Sequence, residues 1–314
     1  MTSPLPDLSP GVDDRDAALS LSEQRAARYQ RLSRPRLYAR RFLRNRSAVG
    51  GVVILGLLLL FAVIGPVLTP FSYTDVDFTS LTTPPSPEHP FGTNGAGNDT
   101  FAQAAHGLQR SLVIAFAVSL LTTMISAVVG ATAAYFGAAT ERIILGLVHF
   151  LMVVPSFLVL ALVSNSAGGD WKVLILALTL FGWMFNARVV WSLSTSLRER
   201  EYVQAARFMG VRPIRIVLRH LIPNIGSLLI VTFTLGVATT VQSEVALSFI
   251  GFGVQVPDVS LGTMLADGAN TISSAPWLFY VPAALATLLT VSMALIGDGL
   301  RDALDPTSRS AGRA

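Results

Sequence analysis

Arg198-Glu-Arg-Glu-Tyr-Val-Gln-Ala-Ala-Arg-Phe-Met-Gly210, running on as Val211-Arg-Pro-Ile-Arg-Ile-Val-Leu-Arg-His-Leu-Ile-Pro-Asn224, is a charged island between two long apolar stretches. Its order is that of a helix, a glycine stop and a second helix. Ser196 and Glu199 have the spacing of a capping box, and Glu201 suits the positive end of a helix. Tyr202, Ala205, Ala206 and Met209 recur at i, i+3, i+4 and i+7, which predicts an apolar stripe on a short helix. Gly210 is free to adopt the left-handed stop conformation, Pro213 fits the first turn of the next helix, and Pro223 marks a break before the following apolar stretch. A polar unit of this kind between membrane-like segments predicts a docking element for a partner on that side.

The flanking composition supports a membrane setting. Of 314 residues 52% are hydrophobic and only 13% charged, with mean hydropathy +0.57. Soluble domains carry about 25% charged residues. Segments long enough to cross a bilayer, roughly 17 to 25 apolar residues, fall near 48–69, 111–136, 143–164, 173–196, 222–248 and 277–297. The expected fold class is therefore all-α, a polytopic membrane protein of about six transmembrane helices with a cytoplasmic loop over 198–224. Arg188 and several Ser/Thr residues weaken the fourth span; an arginine facing the bundle or snorkelling to the inner surface restores it. A five-span reading would put the termini on opposite sides.

Charge sets the orientation. Lys172 is the single lysine among 23 basic residues. Arginines cluster at 25–46, at 198–219 and in the tail at 301, 309 and 313, all on one side of a six-span chain. Lys172 and the boundary residue Arg110 remain for the other. By the positive-inside rule both termini and the 198–224 loop are cytoplasmic. The net charge of +4 then reflects topology and anionic lipid at the membrane surface, not nucleic acid. Residues 1–40 are expected as a flexible basic cytoplasmic arm, 41–306 as the transmembrane domain and 307–314 as a cytoplasmic tail. The N-terminus has no apolar core or cleavage pattern of a secretory signal. Cysteine is absent, which excludes disulfides, a thiol nucleophile and thiolate metal ligands.

Glu201-Tyr-Val-Gln-Ala-Ala-Arg-x-x-Gly210, with Ile216, His220 and Pro223-Asn224, resembles the "EAA" loop of ATP-binding-cassette importer permeases, in the form found in C-type subunits of dipeptide/oligopeptide permeases. His89-Pro-Phe-Gly-Thr93 with Gly97 and Asp99 is similar to the external segment before that family's second span. Glu244-Val-Ala-Leu-Ser-Phe-Ile-Gly-Phe-Gly253, then Pro257-Asp258 and Leu261-Gly-Thr-Met264, resembles its segment after span five, and Gly297-Asp-Gly-Leu-Arg-Asp-Ala-Leu-Asp-Pro306 its terminal signature. The likeness runs from about Arg41 to Pro306. Asn94, Asn98 and Gln109 depart from it, standing where the family usually has Asp, Arg and Arg, so no salt bridge of that loop carries over. The resemblance implies a coupling helix formed by Glu201, Tyr202, Ala205, Ala206, Met209 and Gly210. Glu201 would orient that helix, Ala205 and Ala206 would permit close docking on an ATPase, and Gly210 would turn the chain. It also implies partners: a homologous second permease, two ATPase subunits and an extracytoplasmic peptide-binding protein. ATP and Mg would sit on the ATPases, with no cofactor and no metal on this chain, and the loops 70–110 and 251–276 would face outward.

Residue chemistry agrees with a chain that does no catalysis itself. A Walker A loop needs Gly-Lys-Ser/Thr, and Lys172 is followed by Val173. His89, His106, His149 and His220 lack metal-ligand spacing, and neither G-x-S-x-G nor H-E-x-x-H occurs. The cluster Asp298, Arg301, Asp302 and Asp305 reads as a helix end with an ionic patch. Glu244 is the one acid near a membrane stretch, placed towards the outer end of span five within reach of water; a packing role stands beside a pathway role. Pro155 should kink span three, and Gly50, Gly51, Gly56, Gly130 and Gly236 are candidates for close helix contacts. The function expected is half of the pathway of an ATP-driven peptide importer. The alternatives are the same permease class moving nickel or another small solute, and an ion-gradient-driven carrier. An intramembrane enzyme would need a reactive constellation that is missing.

Overall fold

The protein is described here by a computed structural model that covers residues 34–304. The arm up to residue 33, with Arg25, Arg28 and Arg31, and the tail with Asp305, Pro306, Arg309 and Arg313 lie outside the described residues. Helices α1 (Arg34–Arg44) and α2 (Arg46–Leu68) are separated by Asn45, whose side chain accepts from the Ala48 N–H as an N-cap. Helix thus begins within the segment expected as a flexible arm. Then follow α3 (Thr100–Phe136), α4 (Ala138–Val153), α5 (Ser156–Ser166), α6 (Trp171–Gly182) and α7 (Met184–Arg198). The 198–224 sequence forms α8 (Glu201–Phe208), α9 (Pro213–Ile216), a π-turn (Val217–Leu221) and α10 (Ile222–Asn224). The chain closes with α11 (Gly226–Phe249), α12 (Leu261–Asn270) and α13 (Trp277–Leu304). No strand occurs among the described residues beyond one isolated bridge, Thr93 to Asp99.

Four helices, α2, α3, α11 and α13, are each long and apolar enough to cross a membrane. The third and fourth expected spans are bent pairs: α4 and α5 meet at 73°, α6 and α7 at 42°. Counting each pair once gives six. The first bend has the expected cause, since Pro155 has no N–H to continue the ladder and Val154 turns back onto the Leu151 carbonyl. The second bend, at Trp183, has no proline. Span two is longer than expected, starting at Thr100, because Asp99 caps it through the Ala102 N–H.

Helix α3 is the axis of the molecule. At 37 residues and about 1.5 Å rise each it exceeds the roughly 30 Å of hydrocarbon, so it supplies side chains to three successive cores. Leu108, Leu112 and Ala115 pack with Leu58 and Ala62 of α2, Val237 and Val241 of α11, and Leu289 and Met293 of α13. Ile114 and Val118 pack with Leu160, Leu174, Leu178 and Leu247. Ala131 packs with Val190 of α7, Val203 and Ala206 of α8, and Ile216 to Ile225. Large apolar residues such as Leu60, Val67, Leu162 and Leu180 stay exposed, as a bilayer permits. Close approach relies on three of the five glycines singled out. A Cβ on Gly51 would stand 2.8 Å from the Ser292 carbonyl, on Gly130 2.4 Å from that of Ala187, and on Gly236 2.5 Å from Ser119 Oγ. Gly50 and Gly56 face open space among the described residues, so the expected helix contact does not form there within them. Arg188 is exposed on α7, which rules out the bundle-facing placement within this chain.

Candidate coupling element and the network at the opposite end

The 198–224 unit is fastened to α3 before it presents anything outward. Arg198 Nη1 donates to the Ala134 carbonyl at 2.8 Å, satisfying a carbonyl near the end of α3, while its Nε meets Glu199 at 2.9 Å. The expected capping box does not form. Ser196 lies inside α7, which continues to Arg198, and Arg200 takes the N-cap position of α8 without a side-chain bond. Instead, Gln204 reaches back to the Arg198 carbonyl at 3.1 Å. Glu201 does occupy the first turn.

The C-terminus of α8 follows from Gly210. It sits at φ +73°, where a Cβ costs energy, and its N–H donates to Arg207 while the Val211 N–H donates to Ala206. These two bonds form a Schellman stop. Pro213 then opens α9, as its spacing predicts. Before Pro223 the helix widens: the Ile222 N–H reaches Val217, and Asn224 Nδ2 donates to the His220 carbonyl at 2.6 Å. The wide turn relieves the clash a proline ring makes with the preceding turn.

Which face of α8 points outward differs from the expected stripe. Val203 and Ala206 are buried, at 1% and 2% exposure, against Ile216, Val217 and Leu221. Tyr202, Ala205 and Met209 are exposed, and Phe208 joins them at 87%. So Ala206 secures the helix and the outer surface is Tyr202, Ala205, Phe208 and Met209. Phe208 escaped the sequence reading because it lies off the i, i+3, i+4, i+7 series.

At the other end of the bundle residues 70–99 form a folded cap. His89, buried, places Nδ1 3.0 Å from Asp99 and Nε2 3.6 Å from Asp77, and stacks on Phe71. The Thr79 hydroxyl and N–H, helped by Ser80 and His89, hold the Asp77 carboxyl down to about 2. Gly92 at φ +74° leaves room that a Cβ, 2.6 Å from the Thr83 carbonyl, would fill. The three departures from the family pattern make neutral contacts: Asn94 bonds Asn98 and Gln103, both at 3.2 Å, and Gln109 donates to the Ala62 carbonyl.

A second tie crosses from α3 to the segment after α11. His106 Nε2 and Arg110 Nε each stand 2.8 Å from Asp258, with Tyr73 stacked on His106 at 3.7 Å and Arg110 over the Trp171 ring at 4.2 Å. Burial pulls the Asp258 carboxyl up, but the bonds from His106, Val259 and Arg110 outweigh it and hold it below the usual range. Beside this tie opens a cavity of about 1010 Å3, lined by Tyr73, Asn98, Gln103, Asp258 and Asp267 among others. Two of the four histidines are thus bound to carboxylates. Among the described residues no group of three or more His, Asp or Glu could hold a metal ion.

Glu244 is 1% exposed, not within reach of water in this chain. Its carboxylate accepts from Ser260 at 2.6 Å, Ser248 at 2.7 Å and Ser111 at 3.3 Å, joining α3, α11 and the start of α12. Ser111 in turn accepts from the Leu261 N–H, and Ser260 caps α12 through Thr263. Gly262 lets α12 come this close; a Cβ there would lie 2.6 Å from Ser248 Cβ. At the far end of α13, Asn45 donates to Asp302 at 3.3 Å, which places part of the expected ionic patch against α1 and α2.

The family described as "Binding-protein-dependent transport system inner membrane component" matches residues 124–310, and "N-terminal TM domain of oligopeptide transport permease C" matches residues 35–85. The oligopeptide transport system permease protein OppC of Mycobacterium tuberculosis (strain ATCC 25618 / H37Rv) is 46% identical over 280 residues, 88% of this chain and 96% of that protein. The dipeptide transport system permease protein DppC of Bacillus subtilis (strain 168) is 36% identical over 272 residues, 86% of this chain and 85% of its own. OppC of Escherichia coli (strain K12) is 34% identical over 272 residues, 86% and 90% of the two chains. With helices that cross the membrane four to six times and a family match over more than half its length, the chain belongs to the binding-protein-dependent transport system inner membrane components, as one of their multi-pass permease subunits.

Proposed function

We propose that this chain is half of the translocation pathway of an ATP-driven peptide importer, with α8 as the element that receives force from a separate ATPase. The observation that carries this is the division of α8 into two faces. Val203 and Ala206 fix the helix to α3 and α7, so it moves with the spans, while Tyr202, Ala205, Phe208 and Met209 leave an apolar ridge facing away from the chain. An exposed aromatic and methionine ridge on a short polar helix is costly without a partner. The arginine clusters favour the cytoplasmic side for this end and for both termini. Peptide as cargo rests on the relatives, which are oligopeptide and dipeptide permeases. The second permease completes the pathway, the ATPases bind ATP and Mg, and an extracytoplasmic binding protein delivers peptide to the end that carries residues 70–99 and 251–276. Within the chain, Glu244 holds three helical segments together and contacts no cargo.

The test is reconstitution with the cognate partners and ATP-dependent uptake of a labelled peptide. Met209→Glu and Ala205→Trp alter only exposed positions. Both are expected to fold, insert and pair with the second permease, yet to lose ATPase recruitment and uptake. Full uptake by both variants would refute docking through this ridge. Uptake that follows an ion gradient without ATP would refute the importer reading.

A further inference from the structure

The two broken spans break at the same place. A cavity of about 220 Å3 is lined by Ser156, the first residue after the Pro155 break, and by Gly182, the last before the Trp183 break. It lies near the mid-length of α3 and α11, bordered by Val118 and Thr122 on one and by Thr239, Thr240 and Ser243 on the other. Glycine shapes it: a Cβ on Gly182 would stand 2.9 Å from Thr122 Cγ2.

The lining is uncharged and mixed, with Leu160, Leu178 and Phe181 beside Ser156, Asn186 and the threonines. Thr122 donates to the Val118 carbonyl, Thr239 and Thr240 to Gly236, and Ser243 to Thr239. With those protons directed along their own helices, the hydroxyl oxygens keep acceptor capacity. Asn186 has the opposite need. Its amide carries two donors and an acceptor, and no hydrogen bond to it occurs among the described residues. Unsatisfied polar groups at membrane depth cost several kcal/mol in hydrocarbon, so lipid is a poor occupant. The volume is also below the roughly 300–1,000 Å3 of a complete small-molecule site, as expected if a second subunit closes it.

We infer that this mid-membrane pocket is a cargo contact that takes one uncharged amide unit of the translocating peptide, with Asn186 donating to its carbonyl and the hydroxyls of Thr239 and Ser243 meeting its N–H. The inference rests on the reading of the chain as a permease half. A peptide unit presents one donor and one acceptor whatever its side chain, and a pocket without charge selects for that common feature.

The chain has no cysteine, so single cysteines placed in it report without background from this subunit. Ser243→Cys and, as control, Leu60→Cys on the apolar outside of α2 are placed in the full transporter in vesicles and treated with a charged, membrane-impermeant thiosulfonate. Ser243→Cys is expected to react, and saturating transported peptide to slow it at least about fivefold, while Leu60→Cys stays unreactive. Asn186→Leu is expected to assemble and to raise the KM for uptake about tenfold, the effect of one lost hydrogen bond of about 1.4 kcal/mol. An active transporter in which Ser243→Cys is unreactive or unprotected, or Asn186→Leu leaves KM unchanged, overturns this inference alone. A wild-type complex that hydrolyses ATP but carries no peptide overturns the parent reading and this one with it.

Discussion

Replacing Glu244 by alanine tests the inner architecture most sharply, because three hydroxyls share its carboxylate. Ser248, four residues on, recovers an acceptor by turning to the Glu244 carbonyl, a common back-bond in helices. Ser260 and Ser111 do not. Each still accepts a backbone N–H, from Thr263 and Leu261, but loses the acceptor for its own proton. Two buried donors left unmade cost about 1–3 kcal/mol each. The sum, about 4 kcal/mol, is a large share of the 5–15 kcal/mol typical of a folded domain. At roughly 2–4 °C per kcal/mol the melting midpoint should fall by about 10 °C. Glu244→Gln keeps an oxygen for the two short bonds and leaves only the Ser111 donor unmade, so its loss should be about half as large. Scanning fluorimetry of the purified transporter, with uptake measured in parallel, reads both variants. A Glu244→Ala midpoint within about 1 °C of wild type would refute the reasoning. Unchanged stability with abolished uptake would move Glu244 from packing into the pathway.

Gly210→Ala places a Cβ in the left-handed region at about 1–2 kcal/mol; ATPase stimulation by the reconstituted subunit should fall while membrane insertion is kept, and full stimulation would show the Schellman stop to be dispensable. Ala206→Leu overpacks the core under α8 by about 1–3 kcal/mol and should lower the yield of assembled complex, whereas Ala205→Leu should leave yield intact; equal yields would contradict the observed facing of the helix. Because the Asp258 carboxyl is held below its ordinary value, the stability it contributes is complete above about pH 4 and is lost as pH falls through the lower folded value. Hydrogen exchange over 254–260, corrected for the intrinsic rate, should therefore quicken only in acid. In Asp258→Asn it should be fast already at pH 7, and slow exchange there would show that the His106 and Arg110 tie does not hold the loop.

Local signals were legible where backbone chemistry alone decides. Gly210 and Pro213 end one helix and begin another because of the φ values each residue permits, and Pro155 breaks its span because it has no N–H. The capping box failed for a related reason. Ser196 and Glu199 fit the pattern, but α7 runs through Ser196 and ends at Arg198, held by Val190 in the core and by Arg198 reaching Ala134. A local preference of about 1 kcal/mol yields to a helix already packed along its length.

By itself the sequence determined that this chain spans a membrane in about six helical passes, where the polar unit lies, and that an unbroken P-loop is impossible. Hydropathy and composition settle these, since both act residue by residue. The tertiary structure decided which faces meet. It turned Val203 inward and Phe208 outward, brought His106 to Asp258 across 152 positions, set Glu244 among three serines, and joined two span breaks at one pocket. In a bilayer, lipid-facing and core-facing residues are equally apolar, so the pattern that marks an inner face in water is absent. Only the relative placement of whole helices tells the two apart.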